Sequence, residues 1–419
     1  MNNRQRLLQR RLFLQQGAVA GTALALGSRL PGILTQAAAA ARSRADDGDR
    51  ILIVVQLSGG NDGLNTVVPH RNELYQAARP TLRIASADVL GINDDFGFHP
   101  ACRALADLLE QDSLAVVQGV GYEQPNRSHF ESMDIWHTCR RKEERGSDGW
   151  LGRAFDRHAE TAGNDPPGLF LGANKLPAAL VARDTQVPSI NSPEQFKFQG
   201  ADAQLVADAL QEGATAGEAM TDEEDELAAF LSESTAAAVE ASGKIAAALE
   251  QSDGGSSYPD TPLATKLRTI ARLIESGFQT RVYYVEIDGF DTHAQQADAH
   301  RALLEQWSGA VAALTQDLAR MGRLDDTLVL SFSEFGRRVA ENASEGTDHG
   351  AAAPVFLTGG RVAGGIHGDL PSLENLDDGD LRYHTDFRRV YATVLGQWLG
   401  WNPTPILGQS FEPLNVLRG

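Results

Sequence analysis

An open α/β fold, with a mostly parallel central sheet and helices on both faces, is the architecture this sequence predicts. Three observations predict it. Five short apolar runs recur along the chain, none alternates cleanly between apolar and polar residues, and amphipathic stretches of helical spacing separate several of them.

The first run, Ile51–Leu57, is almost continuously aliphatic, so both of its faces are expected to be covered. Cys102–Glu110 follows with helical spacing, and Leu114–Gln118 is the second run. Leu263–Ser276 is the helical stretch before the third run, Val282–Ile287, and His300–Met321 precedes the fourth, Thr327–Phe332. Pro354–Leu357 is the fifth. A last helix over Asp386–Leu399 has a Thr385/Asp386 cap, with Val390, Tyr391, Val394, Leu395, Trp398 and Leu399 on one side. Between Phe196 and Pro262, alanine and acidic residues dominate, which reads as a helical acidic insertion over residues 197–262. Within it, Thr221 or Asp222 caps the Ala-rich helix and Ser252–Ser257 is a flexible connector.

The amino-terminal residues have a different chemistry. Residues 1–16 hold Arg4, Arg6, Arg10 and Arg11 and no acid, and Arg10-Arg11-Leu12-Phe13-Leu14 is a paired-arginine core. An apolar run, Gly17 to Leu26, and the small-residue stretch Ala37–Ala41 complete the pattern of a twin-arginine export signal over residues 1–41. Residues 42–50 read as a polar linker, and residues 51–419 as the α/β domain. The apolar run falls well short of the ~20 residues a membrane span needs, so no stable membrane anchor is expected. The expectation is a protein folded before export, carried by the twin-arginine (Tat) translocase, and periplasmic or extracellular.

The formal charge is −19, and the five arginines before residue 42 leave the remainder near −24. Such a surface repels nucleic acid and anionic lipid. An anionic small-molecule or polymer substrate then needs strong local positive charge, from a metal or from clustered arginine. Two cysteines, Cys102 and Cys139, are too few for a disulfide framework; one disulfide and two buried thiols are both open.

Ligands of open α/β sheets bind outside the carboxyl ends of the strands, and there the chemistry concentrates. The first run is followed by Ser58-Gly59-Gly60-Asn61-Asp62-Gly63, and the second by Asn126-Arg127-Ser128-His129-Phe130 at a helix start. Asp288-Gly289-Phe290-Asp291-Thr292-His293 follows the third, Ser333-Glu334-Phe335-Gly336-Arg337-Arg338 the fourth, and Thr347-Asp348-His349-Gly350 precedes the fifth. Singly, each piece has a structural reading: Asp62 as a turn cap, Ser128 as an N-cap, Glu334 as the partner of Arg337 or Arg338. Gathered at one sheet edge, they read as oxygen and nitrogen ligands for Zn, Mn, Mg or Ca. His99, His137, His158 and His300 are read as structural.

Together with the leader, these motifs resemble the DUF1501 family of exported bacterial proteins, over nearly the whole mature chain. That family is in turn similar to the alkaline phosphatase and sulfatase superfamily, so the expected fold is alkaline-phosphatase-like. The resemblance implies a divalent-metal hydrolase of phosphate or sulfate esters. Asp62 is then the metal ligand after the first strand, Ser128 the nucleophile, and Asp291 and His293 the later ligands, with Asp288 as the alternative to Asp291. Arg127 and Arg337 would neutralise substrate oxygens.

Two alignments compete at the end of the pattern, because the Asp-His pair expected after Thr327–Phe332 is replaced by Glu334-Phe335. Either Glu334 stands for that aspartate and His349 is the last ligand, or Asp348-His349 is the displaced pair. No Cys-x-Pro-x-Arg signature is present, which argues against a usual sulfatase. The alternative function is a non-catalytic exported protein that binds a ligand or partner at a degenerate site.

Overall fold

The computed structural model describes residues 50–144, 146–158, 165–172, 175–190 and 257–418. The expected export signal, the linker up to residue 49 and residues 197–256 of the expected insertion lie outside the described residues. In chain order the main elements are β1 (Ile51–Leu57), α1 (Arg103–Glu110), β2 (Leu114–Gly121), α2 (His129–Thr138), α3 (Trp150–His158), β3 (Gly168–Leu171) and β4 (Ser189–Ile190). They continue with α4 (Pro262–Glu275), β5 (Val282–Ile287), α5 (Gln296–Arg320), β6 (Thr327–Phe332), β7 (Arg337–Glu341) and β8 (Thr347–His349). The last are β9 (Ala353–Thr358), β10 (Gly365–His367), β11 (Thr385–Asp386) and α6 (Phe387–Ala392).

The central sheet has nine strands in the order β10-β2-β9-β6-β1-β5-β3-β4, with β11 also pairing β2. All neighbours run parallel except β9, which is antiparallel to both β2 and β6. The sheet is therefore mostly parallel, with one strand reversed near its middle.

β1 divides its side chains between two cores, because successive residues of a strand point to opposite faces. Ile51, Ile53, Val55 and Leu57 meet side chains of α1, α4 and α5, whereas Leu52 and Val54 lie in the core of Trp136, Trp150, Tyr391 and Trp398. Burying each such aliphatic side chain contributes about 1.5–3 kcal/mol. In α5, Leu304, Trp307, Val311, Leu314 and Leu318 recur at spacings of three and four, a stripe that faces the sheet. On the other face, Trp136 is stacked between Phe332 and Phe387, with ring centroids 4.9 and 4.5 Å away.

All five apolar runs are strands, two of them longer than their apolar stretch: Leu114–Gln118 extends to Gly121, and Pro354–Leu357 gains one residue at each end. The expected last helix changes form after Ala392, where Thr393–Trp398 is π-helical, and its six predicted core residues are all buried. Cys102 and Cys139 are buried free thiols, which decides between the two readings. Burial pushes the Cys139 thiol up to about 12. No helix among the described residues is long and apolar enough to cross a membrane.

This layout positions the site. β1, β2, β5 and β6 end at one edge of the sheet, and reversed β9 starts there, so the β8 segment just ahead of it joins the same edge.

Candidate metal centre

The β1 loop is folded against the Phe290–Asp291 backbone, and only glycine permits it. Gly59 has φ +114°, and a Cβ there would stand 2.4 Å from the Asp291 nitrogen. The Arg337 guanidinium, fully buried, ties the loops together by donating to the carbonyls of Gly59, Gly60, Phe290 and Thr347. It also donates to Asp291 Oδ1 at 2.8 Å.

Asp291 Oδ1 is the point of convergence. His293 Nε2 lies 3.0 Å from it, His349 Nε2 3.1 Å and His129 Nε2 3.3 Å. The Nε2 atoms of His293 and His349 are 2.8 Å apart. His129, Asp291 and His349 present donor atoms that all lie within 4.8 Å of one another.

The opposite nitrogen of each ring faces an acceptor. His129 Nδ1 is 2.8 Å from Glu334 Oε1, His349 Nδ1 is 2.6 Å from the Arg127 carbonyl, and His293 Nδ1 is 3.5 Å from Asp348 Oδ1. Glu334 is itself fixed, because its Oε1 also accepts from the Gly59 N–H at 2.9 Å. Asp348 accepts from the Asn342 amide at 3.1 Å. A carboxylate or carbonyl behind each imidazole, with every Nε2 turned inward, is how metal-binding histidines are oriented.

The electrostatics follow from these contacts. Burial alone would raise the Asp291 carboxyl, but hydrogen bonds from Arg337 and His349 prevail and hold it at about 2. The hydrogen bond to Glu334 raises His129 above its ordinary value. Burial lowers His349. His129 Nε2 is buried and faces Asp291 Oδ1 at 3.3 Å.

The structure brings together Asp291, His293 and His349 of the expected ligands, and sets the others apart. Asp62 is fully buried elsewhere: its Oδ2 accepts from Arg79 at 2.6 Å and Gln296 at 2.5 Å, while its Oδ1 accepts from the Asn65 N–H. Burial opposes its charge, but Arg79 outweighs burial and holds the carboxyl below its ordinary value. Glu334 and Asp348 stand behind His129 and His293 rather than in the cluster. Asp288 is exposed and accepts from the Gly289 N–H, outside it.

Neither expected anion-binding arginine is uncommitted. Arg127 is paired with Asp380 at 2.8 Å and Asp378 at 3.0 Å, and Arg337 is spent on the loops. Ser128 is the N-cap residue just before α2, its side chain exposed and making no capping hydrogen bond. Phe335, where relatives of the superfamily were expected to have an imidazole, packs its ring 4.9 Å from His129 and 4.8 Å from His349.

His129 had no role in the sequence reading. Its signal was the pair His129 and Ser132, three apart at a helix start and so on one face; the Ser132 hydroxyl donates to the Glu334 carbonyl at 2.7 Å. Gln296 was also missed. It joins Asp62 to Thr347, whose hydroxyl donates to Gln296 Oε1 at 2.6 Å.

Fold and site together define an open α/β protein with three imidazoles and a carboxylate gathered at the carboxyl edge of its sheet. The chain belongs to the DUF1501 family, described as a protein of unknown function, whose profile matches residues 49–400. No curated protein matches it. Solved structures with a similar fold include the PsFucS1 sulfatase from Pseudoalteromonas sp., at 11% identity and TM-score 0.42, covering 93% of this chain and 75% of that one. The alkaline phosphatase from the Antarctic bacterium TAB5 has 10% identity and TM-score 0.38, covering 84% of this chain and 98% of that one. The lipoteichoic acid synthase LtaP from Listeria monocytogenes has 10% identity and TM-score 0.36; the match covers 77% of this chain and 66% of the synthase.

Proposed function

We propose that the chain is an exported, metal-dependent hydrolase of phosphate or sulfate esters, built on one divalent ion held by His129, Asp291 and His349, with His293 beside them. One observation carries the metal: three imidazole Nε2 atoms converge on Asp291 Oδ1 while an acceptor stands behind each ring. The donor set fits. A tetrahedral zinc site with bonds of about 2.0–2.1 Å places its donors roughly 3.3 Å apart; His129 and His349 Nε2 lie 3.3 and 3.1 Å from Asp291 Oδ1, and all three donors lie within 4.8 Å of one another. Two imidazole nitrogens and a carboxylate oxygen, with His293 alongside, favour zinc or a similar transition ion over magnesium or calcium.

The ion supplies Lewis-acid stabilisation of the charge that builds on the ester during displacement. The ester class comes from the motif resemblance. Ser128, exposed at the start of α2 and next to His129, is the proposed nucleophile. Its oxygen forms the new bond to phosphorus or sulfur, the ester bond to the alcohol breaks, and the hydroxyl proton leaves to solvent, which reprotonates the alcohol. Water then attacks the serine ester, releases the acid and restores the hydroxyl. Export through the Tat translocase, from the paired-arginine leader, belongs to the same reading, because it carries proteins already folded around their metal.

A second reading is a non-catalytic exported binding protein. It is favoured by Phe335 lining the cluster and by the pairing of Arg127 with Asp378 and Asp380.

Elemental analysis of the purified full chain tests the proposal. Stoichiometric zinc or manganese is expected, lost in His129→Ala and in His349→Ala, with metal retained and ester turnover lost in Ser128→Ala. Folded protein without metal refutes the hydrolase and leaves the binding reading.

A further inference from the structure

The charges that border the centre select among esters. Three guanidiniums stand there, and each is already neutralised. Arg127 pairs with Asp380 and Asp378, Arg338 pairs with the same two aspartates at 3.5 and 3.2 Å, and Arg337 pairs with Asp291. Against these three cations stand five carboxylates: Asp291, Glu334, Asp348, Asp378 and Asp380. Among the described residues, and with the imidazoles counted as neutral, these side chains carry two negative charges in excess before any ion binds.

One divalent ion brings that sum to zero. Only one group of three or more metal-type side chains has its donor atoms within 4.8 Å of one another among the described residues, so the proposal is for one ion. A doubly charged ester would then bring a surplus of two negative charges into a half-buried site, under the field of a chain whose net charge is −19. It would also meet the exposed carboxylates of Asp348 and Asp378, while Arg127, Arg337 and Arg338 are all committed to aspartates. A singly charged ester brings half that surplus and has fewer charged oxygens to satisfy.

Building on the hydrolase reading, we infer that the site takes singly charged esters, namely phosphodiesters or sulfate monoesters, in preference to doubly charged phosphate monoesters.

The test is equilibrium binding to the zinc-loaded full chain at pH 8, with phenyl phosphate as the dianion and diphenyl phosphate and phenyl sulfate as monoanions. At least one monoanion is expected to bind ten or more times tighter than phenyl phosphate, and which one it is tells phosphorus from sulfur. In Asp378→Asn, an exposed position, one carboxylate charge leaves the Arg127–Arg338 pair, and the preference is expected to narrow by at least twofold with zinc affinity unchanged. Phenyl phosphate binding as tightly as both monoanions overturns the inference. So does a zinc-loaded chain that binds none of the three, or one that takes up two zinc ions and favours phenyl phosphate. A folded chain that takes up no zinc refutes the hydrolase reading instead, and the charge selection with it.

Discussion

Replacing Asp62 by asparagine separates two roles that the sequence alone left together. The carboxylate lies 2.6 Å from the Arg79 guanidinium, and neither side chain has any solvent exposure. The Asp62→Asn side chain would keep the acceptor for the Asn65 N–H. It would leave the Arg79 charge buried and unbalanced, with the Val339 and Arg338 carbonyls and Asn65 Oδ1 as its remaining partners. Removing one member of a buried pair costs about 3–5 kcal/mol. At about 2.1 cal/mol/K of unfolding entropy per residue, taken over the described residues alone, that corresponds to a fall in Tm of about 5–8 °C. The pH dependence has a definite sign. The Asp62 carboxyl is depressed in the folded state, so its contribution is complete above the ordinary value of 3.8 and is lost as pH falls through the folded value. The gap between the native chain and Asp62→Asn is therefore widest at neutral pH and closes in acid. Urea unfolding at pH 7 and in acid, with zinc titration of the folded variant at pH 7, measures both roles. Zinc affinity is expected to be unchanged, because the carboxylate is not part of the cluster. A stability loss under about 1 kcal/mol, or a fall in zinc affinity of about tenfold or more, would refute the reasoning.

Three other outcomes are expected. Glu334→Gln removes the carboxylate behind His129 and should weaken zinc binding by about 10–100-fold with the fold retained, as read by calorimetric titration. Gly59→Ala forces a Cβ against the Asp291 backbone at φ +114°, costing about 1–3 kcal/mol of strain and lowering zinc affinity by displacing Asp291; equal stability in urea would contradict the loop packing. Cys102 and Cys139 should stay unreactive to a thiol reagent in the native state and both react in denaturant, since burial keeps them protonated and shielded.

The sheet was legible where burial on both faces left an unbroken apolar record, as in Ile51–Leu57 and Thr327–Phe332. It was not legible where strands are two to four residues long, as in Gly168–Leu171 and Thr385–Asp386, which carry too few side chains to set a pattern. Strand direction was hidden as well: Ala353–Thr358 is as apolar as its parallel neighbours and runs the other way. At the site, sequence located the loops, because glycine, aspartate and histidine crowd the strand ends. It could not say which acid faces the cluster and which stands behind a ring, since both are carboxylates in short loops. Asp62 shows why: the arginine that occupies it lies 17 residues later, at the end of the short helix Glu73–Ala78, where nothing in the sequence ties it to Asp62. His129 was hidden by its neighbour, because a hydroxyl at a helix start drew the catalytic reading to Ser128.

The donors are supplied by α2, by the loop after β5 and by β8, the last of them reached through the reversal of β9. A nascent chain still short of His349 would have no complete pocket to load, however well its earlier strands had paired. On the proposed metal reading, capture of the ion follows the emergence of more than half of the polypeptide between His129 and His349.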